Sequence, residues 1–213
     1  MFSRLFSSSK SAPAMSTSIT APTLPFVQAA ATARSNLTAG SKTELATVAS
    51  GCYWGPDQMF RNAYLGKGVS SSAVGFLGGP ESSKSPTYEE VCTGRTGHAE
   101  AVQLKFDPAL VSYAELLEFF YRTHDASQLN RQGNDRGTQY RSAIFPHSEE
   151  QLDIARQVTN EVQSKYYDSQ DKKIVTQIEL RPAEQFVAAD EYHQDYLNRN
   201  PNGYHCSAHY QYW

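Results

Sequence analysis

Residues 43–64, TELATVASGCYWGPDQMFRNAY, contain the change of pattern that decides the fold. The apolar run TELATVAS is typical of a buried strand, and PDQMFRNAY has apolar residues at helical spacing. Pro56 and Asp57 fall in the first turn of that helix, where proline and an acidic side chain are both favourable. The segment between them, GCYWG, therefore predicts a tight strand-to-helix turn that carries a cysteine, Cys52.

Strand and helix patterns alternate from this turn towards the C-terminus. Further strands are predicted around residues 74–76 and in HAEAVQLKFDP, YRSAIF and KKIVTQIEL, and further helices in SYAELLEFFYRTH, SEEQLDIARQVTNEVQSKY and FVAADEYHQDYLNRN. The segment PNGYHCSAHYQYW, after the last predicted helix, has no regular pattern. We therefore predict one domain of the α/β or α+β class over residues 44–213, a sheet covered by helices, with an irregular and mobile tail from about residue 200.

The first 43 residues differ in composition from the rest. They are rich in Ser, Ala and Thr, carry several basic residues and contain no acidic residue before Glu44. This composition is typical of an organellar transit peptide and equally of a plain disordered tail. We expect residues 1–43 to be disordered and the protein to be cytoplasmic, mitochondrial or both, with Met15 as a second possible start.

The composition excludes several classes of protein. With 213 residues and a net charge of -3, the chain is not basic enough for non-specific nucleic-acid binding. No apolar run reaches the roughly 20 residues that a membrane-spanning helix needs. The three cysteines are widely separated and form no C-x-x-C pair, which argues against a secreted disulfide framework and a zinc ribbon. We expect a reducing compartment in which thiols stay available for chemistry.

Cys52 has the features of a nucleophile. A thiol at the start of a helix faces unpaired backbone N–H groups and the positive end of the helix dipole, and both favour the thiolate. The flanking glycines would allow a tight turn with an accessible sulfur, and Tyr53 and Trp54 would wall the site with apolar surface. A buried structural cysteine is the alternative that this stretch alone leaves open.

Five blocks of sequence together resemble one family. GCYWG resembles the G-C-F-W-G signature of the A-class peptide methionine sulfoxide reductases, and YEEVCTGRTGHAEAVQLKFDP, GNDRGTQYRSAIF, AADEYHQDYL and GYHCSAHY resemble its later blocks in the same order. The resemblance covers residues 44–213 and implies an α+β fold, a ferredoxin-like mixed sheet covered by helices. The chain departs from the pattern at Tyr53, where the family usually has Phe, and SSKSP lengthens the loop before Tyr88.

The resemblance implies roles for particular residues. Cys52 would attack the sulfoxide sulfur, and Glu100 would protonate the oxygen, with a pKa raised by partial burial among aromatic side chains. The phenols of Tyr88 and Tyr140 would hydrogen-bond that oxygen. Asp135 would organise its loop and a water molecule.

Substrate recognition follows from the same resemblance. Tyr53 and Trp54 would form a pocket for the methyl group, and the fixed position of that pocket relative to the oxygen site would select the S epimer of methionine sulfoxide. The substrates would be free methionine sulfoxide and oxidised methionine in proteins. The hydroxyl of Tyr53 needs a partner or solvent, so we expect it to point out of the pocket.

The resemblance also implies a disulfide cycle. Reduction of the substrate leaves a sulfenic acid on Cys52, which condenses readily with a second thiol. Cys206, in the tail, would be that resolving thiol. Cys92 would be a structural cysteine at a buried, strand-like position, with a role as the resolving thiol as the alternative. Thioredoxin would then reduce the disulfide as external reductant, with no bound cofactor or metal, and we expect a monomer.

Other hypotheses remain at this point. A cysteine hydrolase or acyl transferase would use Cys52 with a histidine base, for which His98 is a candidate. A zinc module would use His205, Cys206 and His209 of HCSAH, although a fourth ligand is not apparent. A binding protein without enzymatic activity would carry an unreactive Cys52.

Overall fold

The computed structural model describes residues 21–40, 42–83 and 85–213. Its helices are α1 Pro25–Ala33, α2 Trp54–Tyr64, α3 Tyr88–Cys92, α4 Tyr113–Arg122, α5 Glu149–Val162 and α6 Tyr196–Arg199. Its strands are β1 Glu44–Ser50, β2 Val69–Leu77, β3 Ala99–Phe106, β4 Arg131–Gln132, β5 Asp135–Arg136, β6 Ser142–Phe145, β7 Gln177–Ile178 and β8 Val187–Ala188. None of the helices in these ranges is both long enough and apolar enough to cross a bilayer.

Six strands form one mixed sheet. Their order is β7-β6-β1-β3-β2-β8, and only the β6–β7 pair is parallel. The central strands and two helices follow the chain order β1-α2-β2-β3-α4-β6, which is the β-α-β-β-α-β arrangement of ferredoxin-like folds. The predicted α+β class is confirmed, and β4 and β5 form a separate short hairpin.

Strand β3 runs through the middle of the sheet. Val102, Leu104 and Phe106 are buried in the main core, whereas Gln103 is half-buried and Lys105 is exposed. This alternation is the one that the sequence predicts for HAEAVQLKFDP, because successive side chains of a strand point to opposite faces. The strand thereby fixes which face each of its residues presents, including Glu100 near its start.

The prediction of a helix over FVAADEYHQDYLNRN is wrong for most of that segment. Instead of one helix, the structure has the edge strand β8, a short 3-10 turn over Glu191–His193 and the four-residue helix α6. Asp195, with φ of +51°, interrupts the helical path in the left-handed region. The side chain of Gln194 accepts from the Val74 backbone N–H at 2.9 Å and donates to its carbonyl at 2.8 Å. These bonds hold the segment against the edge of the sheet.

The N-terminal segment also differs from the prediction. Residues 1–20 lie outside the described residues, so the transit-peptide hypothesis is untested there. Further along, α1 packs against α4 and α5, and Leu24 and Val27 are fully buried. The prediction of disorder up to residue 43 is therefore wrong for this helix. Its Ala-rich sequence, PFVQAAATA, favours a helix, and its few apolar side chains supply the contact with the core.

Candidate active site

The cysteine turn connects β1 to α2. Gly51 has φ of +93°, a left-handed conformation that glycine adopts without strain, and Cys52 follows it directly. The Trp54 backbone N–H bonds the sulfur, as the predicted position at a helix start requires. The thiol is buried, with the residue only 9% exposed, so the predicted accessible sulfur is wrong for this conformation. Burial first, and then the charge of Glu100, raise the pKa of Cys52 well above its ordinary value.

Glu100 lies on β3 beside this turn and is 1% exposed. Its Oε2 accepts a hydrogen bond of 3.1 Å from the Tyr53 backbone N–H. Burial raises the pKa of Glu100 from 4.5 to about 8, and the Tyr53 bond only partly opposes this shift. The carboxyl is therefore largely protonated at neutral pH, and a protonated Glu100 no longer repels a thiolate on Cys52.

Two phenols face the same carboxyl from different elements. Tyr88 begins α3, which Thr87 caps by accepting from the Glu90 backbone N–H at 3.3 Å. Tyr140 ends the 3-10 turn Thr138–Tyr140. Burial raises the pKa of both phenols, and the charge of Glu100 adds to the shift in each. The structure therefore brings both predicted oxygen donors to the acid and keeps them protonated.

Cys92 is not where the sequence predicts it. It lies on α3, one turn after Tyr88, and is half-buried. Burial raises the pKa of Cys92, a hydrogen bond with the Tyr88 hydroxyl partly opposes this shift, and the charge of Glu100 adds to it. The prediction that Cys92 lies buried on a strand is wrong, because the segment before β3 forms a short capped helix. Cys92 is therefore a neighbour of the site.

An aromatic wall surrounds the turn. Trp54 stacks on Tyr196, with ring centroids 3.8 Å apart, and lies 5.7 Å from the ring of His193. Tyr53 is 1% exposed and contacts the same histidine ring, at 5.6 Å. We expected its hydroxyl to point outward, but that atom is buried and has no hydrogen-bond partner among the described residues. The site therefore contains a buried phenol next to Cys52 whose hydroxyl has no partner among the described residues.

Asp135 is on β5, in the short hairpin that faces the tail. Its Oδ1 accepts from the Tyr204 hydroxyl at 2.8 Å, and its Oδ2 is buried with no partner in the described part of the chain. Its charge raises the pKa of Cys52, Glu100 and Cys206. Asp135 therefore lies among these three groups and binds the tail, which the sequence did not indicate.

The C-terminal tail is folded onto the site. No regular helix or strand follows α6 in the structure, as predicted, but Cys206 is 4% exposed rather than free in solution. Its Sγ lies 3.6 Å from the Gln132 carbonyl oxygen, to which it donates. Burial raises the pKa of Cys206 to about 11, and its own charge acts on Cys52. Cys206 therefore lies close enough to Cys52 for its charge to act on that thiol.

Three further residues belong to this site although the sequence predicts no role for them: His193, Tyr196 and Tyr204. The ring centroids of Tyr88 and His193 are 4.5 Å apart. This histidine therefore contacts Tyr88 as well as the aromatic residues that follow Cys52. All three residues belong to the blocks AADEYHQDYL and GYHCSAHY. The aromatic content of those blocks is the signal that could indicate them, but the pattern of the sequence predicts a long helix and a free tail there.

The histidines do not support the other hypotheses. The Nδ1 of His98 lies 3.2 Å from the Thr96 carbonyl oxygen, and no hydrogen bond within the described residues joins a histidine to Cys52. In HCSAH, His205 faces the Pro201 carbonyl and His209 faces the Ser50 carbonyl. No three His, Cys, Asp or Glu side chains in the described ranges are grouped so that they could hold a metal ion.

The residues of this site all lie within the part of the chain that matches a known protein family. The family model for peptide methionine sulfoxide reductase matches residues 44–212. The probable peptide methionine sulfoxide reductase of Schizosaccharomyces pombe is 47% identical over 171 residues, which cover 80% of this chain and 97% of that protein.

Solved structures of Mxr1 from Saccharomyces cerevisiae are also similar. The reduced form has a TM-score of 0.73 at 39% identity and covers 81% of this chain and 93% of that chain. Mxr1 in complex with Trx2 has a TM-score of 0.51 at 26% identity, over 81% and 91% of the two chains. Because the match runs from β1 through the cysteine turn to the tail, this chain belongs to the peptide methionine sulfoxide reductase family.

Proposed function

We propose that the protein reduces methionine-S-sulfoxide, free or within proteins, to methionine, with Cys52 as nucleophile and Glu100 as acid. The observation that carries this proposal is the buried Glu100 carboxyl, bonded to the residue after Cys52 and with a pKa of about 8. An acid with this pKa still holds its proton near neutrality and releases it readily to a basic oxygen.

In the first step, the Cys52 sulfur attacks the sulfur of the sulfoxide. The attack gives an intermediate in which the two sulfurs are bonded, and Glu100 protonates its oxygen. The hydroxyl then passes to the Cys52 sulfur while the S–O and S–S bonds to the substrate sulfur both break, which leaves a sulfenic acid on Cys52. The substrate sulfur gains the two electrons that the cysteine sulfur loses, so methionine is released without a further reductant. Because Glu100 is neutral when the attack begins, its charge does not oppose the Cys52 thiolate, and it becomes a carboxylate only when it gives its proton to the oxygen.

The substrate is held at two places. Tyr88 and Tyr140 are protonated phenols that face Glu100, so they can donate to the sulfoxide oxygen as its charge changes. Tyr53 and Trp54 form the apolar pocket for the methyl group, and Tyr196 covers Trp54. Fixing the oxygen and the methyl group leaves one direction for the rest of methionine, which selects one configuration at sulfur.

The second half of the cycle uses the tail. The Cys206 thiol attacks the sulfenic sulfur, a disulfide forms and water leaves. Thioredoxin then reduces this disulfide by thiol exchange, with no bound cofactor, and the solved complex of Mxr1 with Trx2 supports this partner. A monomer is proposed because one chain supplies every residue of the site. Residence in the cytoplasm, the mitochondria or both is proposed from the composition of residues 1–43.

The test is to offer resolved S and R epimers of methionine sulfoxide to the wild type, Cys52→Ser and Cys206→Ser. We expect turnover of the S epimer only, and none with Cys52→Ser. Cys206→Ser should turn over with dithiothreitol and poorly with thioredoxin, because only the small thiol can reach the sulfenic acid directly. Turnover of the R epimer, or a fully active Cys52→Ser, would refute the proposal.

A further inference from the structure

The imidazole of His209 joins the tail to the cysteine turn. The residue is 2% exposed, and its Nε2 lies 2.6 Å from the carbonyl oxygen of Ser50, the last residue of β1. Because a carbonyl only accepts, Nε2 carries the proton and Nδ1 has a lone pair. Nδ1 is buried and has no hydrogen-bond partner among the described residues. Burial also lowers the pKa of His209, so the ring is neutral.

The ring fills space that glycines leave open. A Cβ on Gly55 would lie 2.1 Å from Nδ1 of His209, and a Cβ on Gly51 would lie 3.3 Å from Nε2. A Cβ on Gly133 would lie 2.9 Å from the Cβ of Ala208. We call these three glycines the glycine slot. Two of them flank Cys52 in GCYWG, so the glycines of the signature also make room for the tail.

The slot fixes the position of Cys206. The backbone N–H of His209 donates to the Cys206 carbonyl at 3.1 Å, which closes a turn between the two residues. A Cβ on Gly133 would lie 3.4 Å from the Cys206 sulfur, so the thiol rests on the third wall of the slot. Further on, the Tyr212 backbone N–H donates to the Arg122 carbonyl at 2.7 Å and holds the end of the tail.

We propose that His209 is a positioning residue for disulfide formation, holding the tail so that Cys206 stands against Cys52. The inference rests on the proposed function, in which Cys206 attacks the sulfenic acid of Cys52. In that step a bond forms between the two sulfurs, the S–O bond breaks, and the oxygen leaves as water with the proton of the Cys206 thiol. His209 takes no part in the bond changes and acts only through the position of the tail.

This role predicts a split between the two halves of the cycle. Methionine release needs Cys52, Glu100 and the two phenols, all of which lie outside the tail. Disulfide formation needs the effective concentration of Cys206 at Cys52, and loss of positioning of this kind slows a reaction by about tenfold to a hundredfold. A residue with only a structural role would slow both halves together.

The experiment mixes reduced full-length enzyme with one equivalent of methionine-S-sulfoxide, without external reductant, and quenches it with acid at intervals. Methionine reports the first step, and peptide mapping of the Cys52–Cys206 disulfide reports the second. With His209→Ala we expect methionine release within about twofold of the wild type and disulfide formation slower by about tenfold or more. His209→Gln, whose amide can donate the same bond, should recover part of the rate.

Two controls make the result specific to the slot. His205→Ala changes an exposed histidine of the same tail and should match the wild type in both steps. Gly55→Ala places a Cβ against the ring, so this single variant should form the disulfide more slowly than the wild type. The double variant Gly55→Ala/His209→Ala should be no slower than His209→Ala alone, because the ring is then absent.

Failure of the inference can be told apart from failure of the proposed function. A wild type that forms no Cys52–Cys206 disulfide overturns the proposed resolution step, and the role of His209 with it. A wild type that forms this disulfide, with His209→Ala equally fast, overturns the role of His209 alone. If His209→Ala does not fold, equal rates for His209→Gln, Gly55→Ala and the wild type overturn it in the same way.

Discussion

The backbone N–H of Tyr53 is bonded to the buried carboxyl of Glu100 over 3.1 Å. Tyr53 directly follows Cys52, so this bond ties the turn that carries the nucleophile to the strand that carries the acid. The bond favours the carboxylate and burial favours the neutral acid, and burial prevails. The result is a pKa of about 8, which lies within reach of physiological pH.

The first prediction concerns Glu100→Gln and the pH dependence of turnover. Glu100 acts while it is protonated, so kcat/KM of the wild type should fall as pH rises through about 8. Glu100→Gln keeps the shape of the side chain but has no proton to give, and should lose about a hundredfold in kcat/KM. Steady-state rates from pH 6 to 10 test this. An alkaline decline that persists unchanged in Glu100→Gln would assign the titration to another group.

The second prediction concerns the pH dependence of stability. A carboxyl with a raised pKa makes the folded state less stable as pH rises, whereas one with a lowered pKa makes it more stable. The pKa of Glu100 is about 8 when folded and near 4.5 when unfolded, so the folded state binds more protons between these values. The free energy of unfolding therefore gains from Glu100 below about pH 4.5 and loses that gain as pH rises towards 8. Relative to the wild type, Glu100→Gln should become more stable over this window, by an amount on the order of a few kcal/mol. Urea unfolding at pH 5 and pH 8 measures the difference, and a constant difference would contradict it.

The unpaired hydroxyl of Tyr53 leads to a third prediction. A buried polar group without a partner costs about 1–3 kcal/mol, so Tyr53→Phe should raise the free energy of unfolding by about 1 kcal/mol. The preference for the S epimer should persist, because the ring that faces the methyl group is unchanged. Tyr121→Phe is the matched control, since the Tyr121 hydroxyl is bonded to Thr159 Oγ1 at 2.7 Å and its removal should lower stability. Equal effects of the two changes would show that the Tyr53 hydroxyl has a partner.

The sequence predicts an element of this fold well when residues close in the chain determine it, and poorly when a contact between distant residues determines it. The strand, turn and helix around Cys52 are set by neighbouring residues, and alternation along β3 shows which of its side chains face the main core, although Ala99 and Ala101 are buried on the other face. The last predicted helix fails because the amide of Gln194 bonds the backbone of Val74, a contact between residues far apart in the sequence. Periodicity within a window contains no information about such a contact.

The candidate site likewise combines features that local motifs indicate with features that depend on distant contacts. Cys52 and Glu100 were found through motifs, and the structure brings them together. The docked position of Cys206 was missed because it depends on three glycines from two separate segments that leave space for His209 and Ala208. Glycine in a sequence indicates a turn, but it does not reveal which side chain rests against it.

The N-terminal segment gives a fourth prediction. Leu24 is fully buried in the main core, whereas Leu37 is 54% exposed. Leu24→Ala should lower the free energy of unfolding by about 2–5 kcal/mol, because it leaves a cavity against the core. Leu37→Ala, the same change a few residues later, should stay within about 0.5 kcal/mol of the wild type. Thermal and urea unfolding of both variants test this, and equal effects would mean that the segment is not packed in solution.

The last prediction concerns Cys92, whose thiol is bonded to the Tyr88 hydroxyl. Cys92→Ser keeps a partner for that hydroxyl and should retain kcat/KM with thioredoxin. Cys92→Ala removes the partner, and loss of one hydrogen bond of about 1 kcal/mol should lower kcat/KM by about fivefold, because Tyr88 is held less firmly at the oxygen site. Both variants should still form the Cys52–Cys206 disulfide. A Cys92→Ser enzyme that turns over with dithiothreitol but not with thioredoxin would instead make Cys92 the resolving thiol.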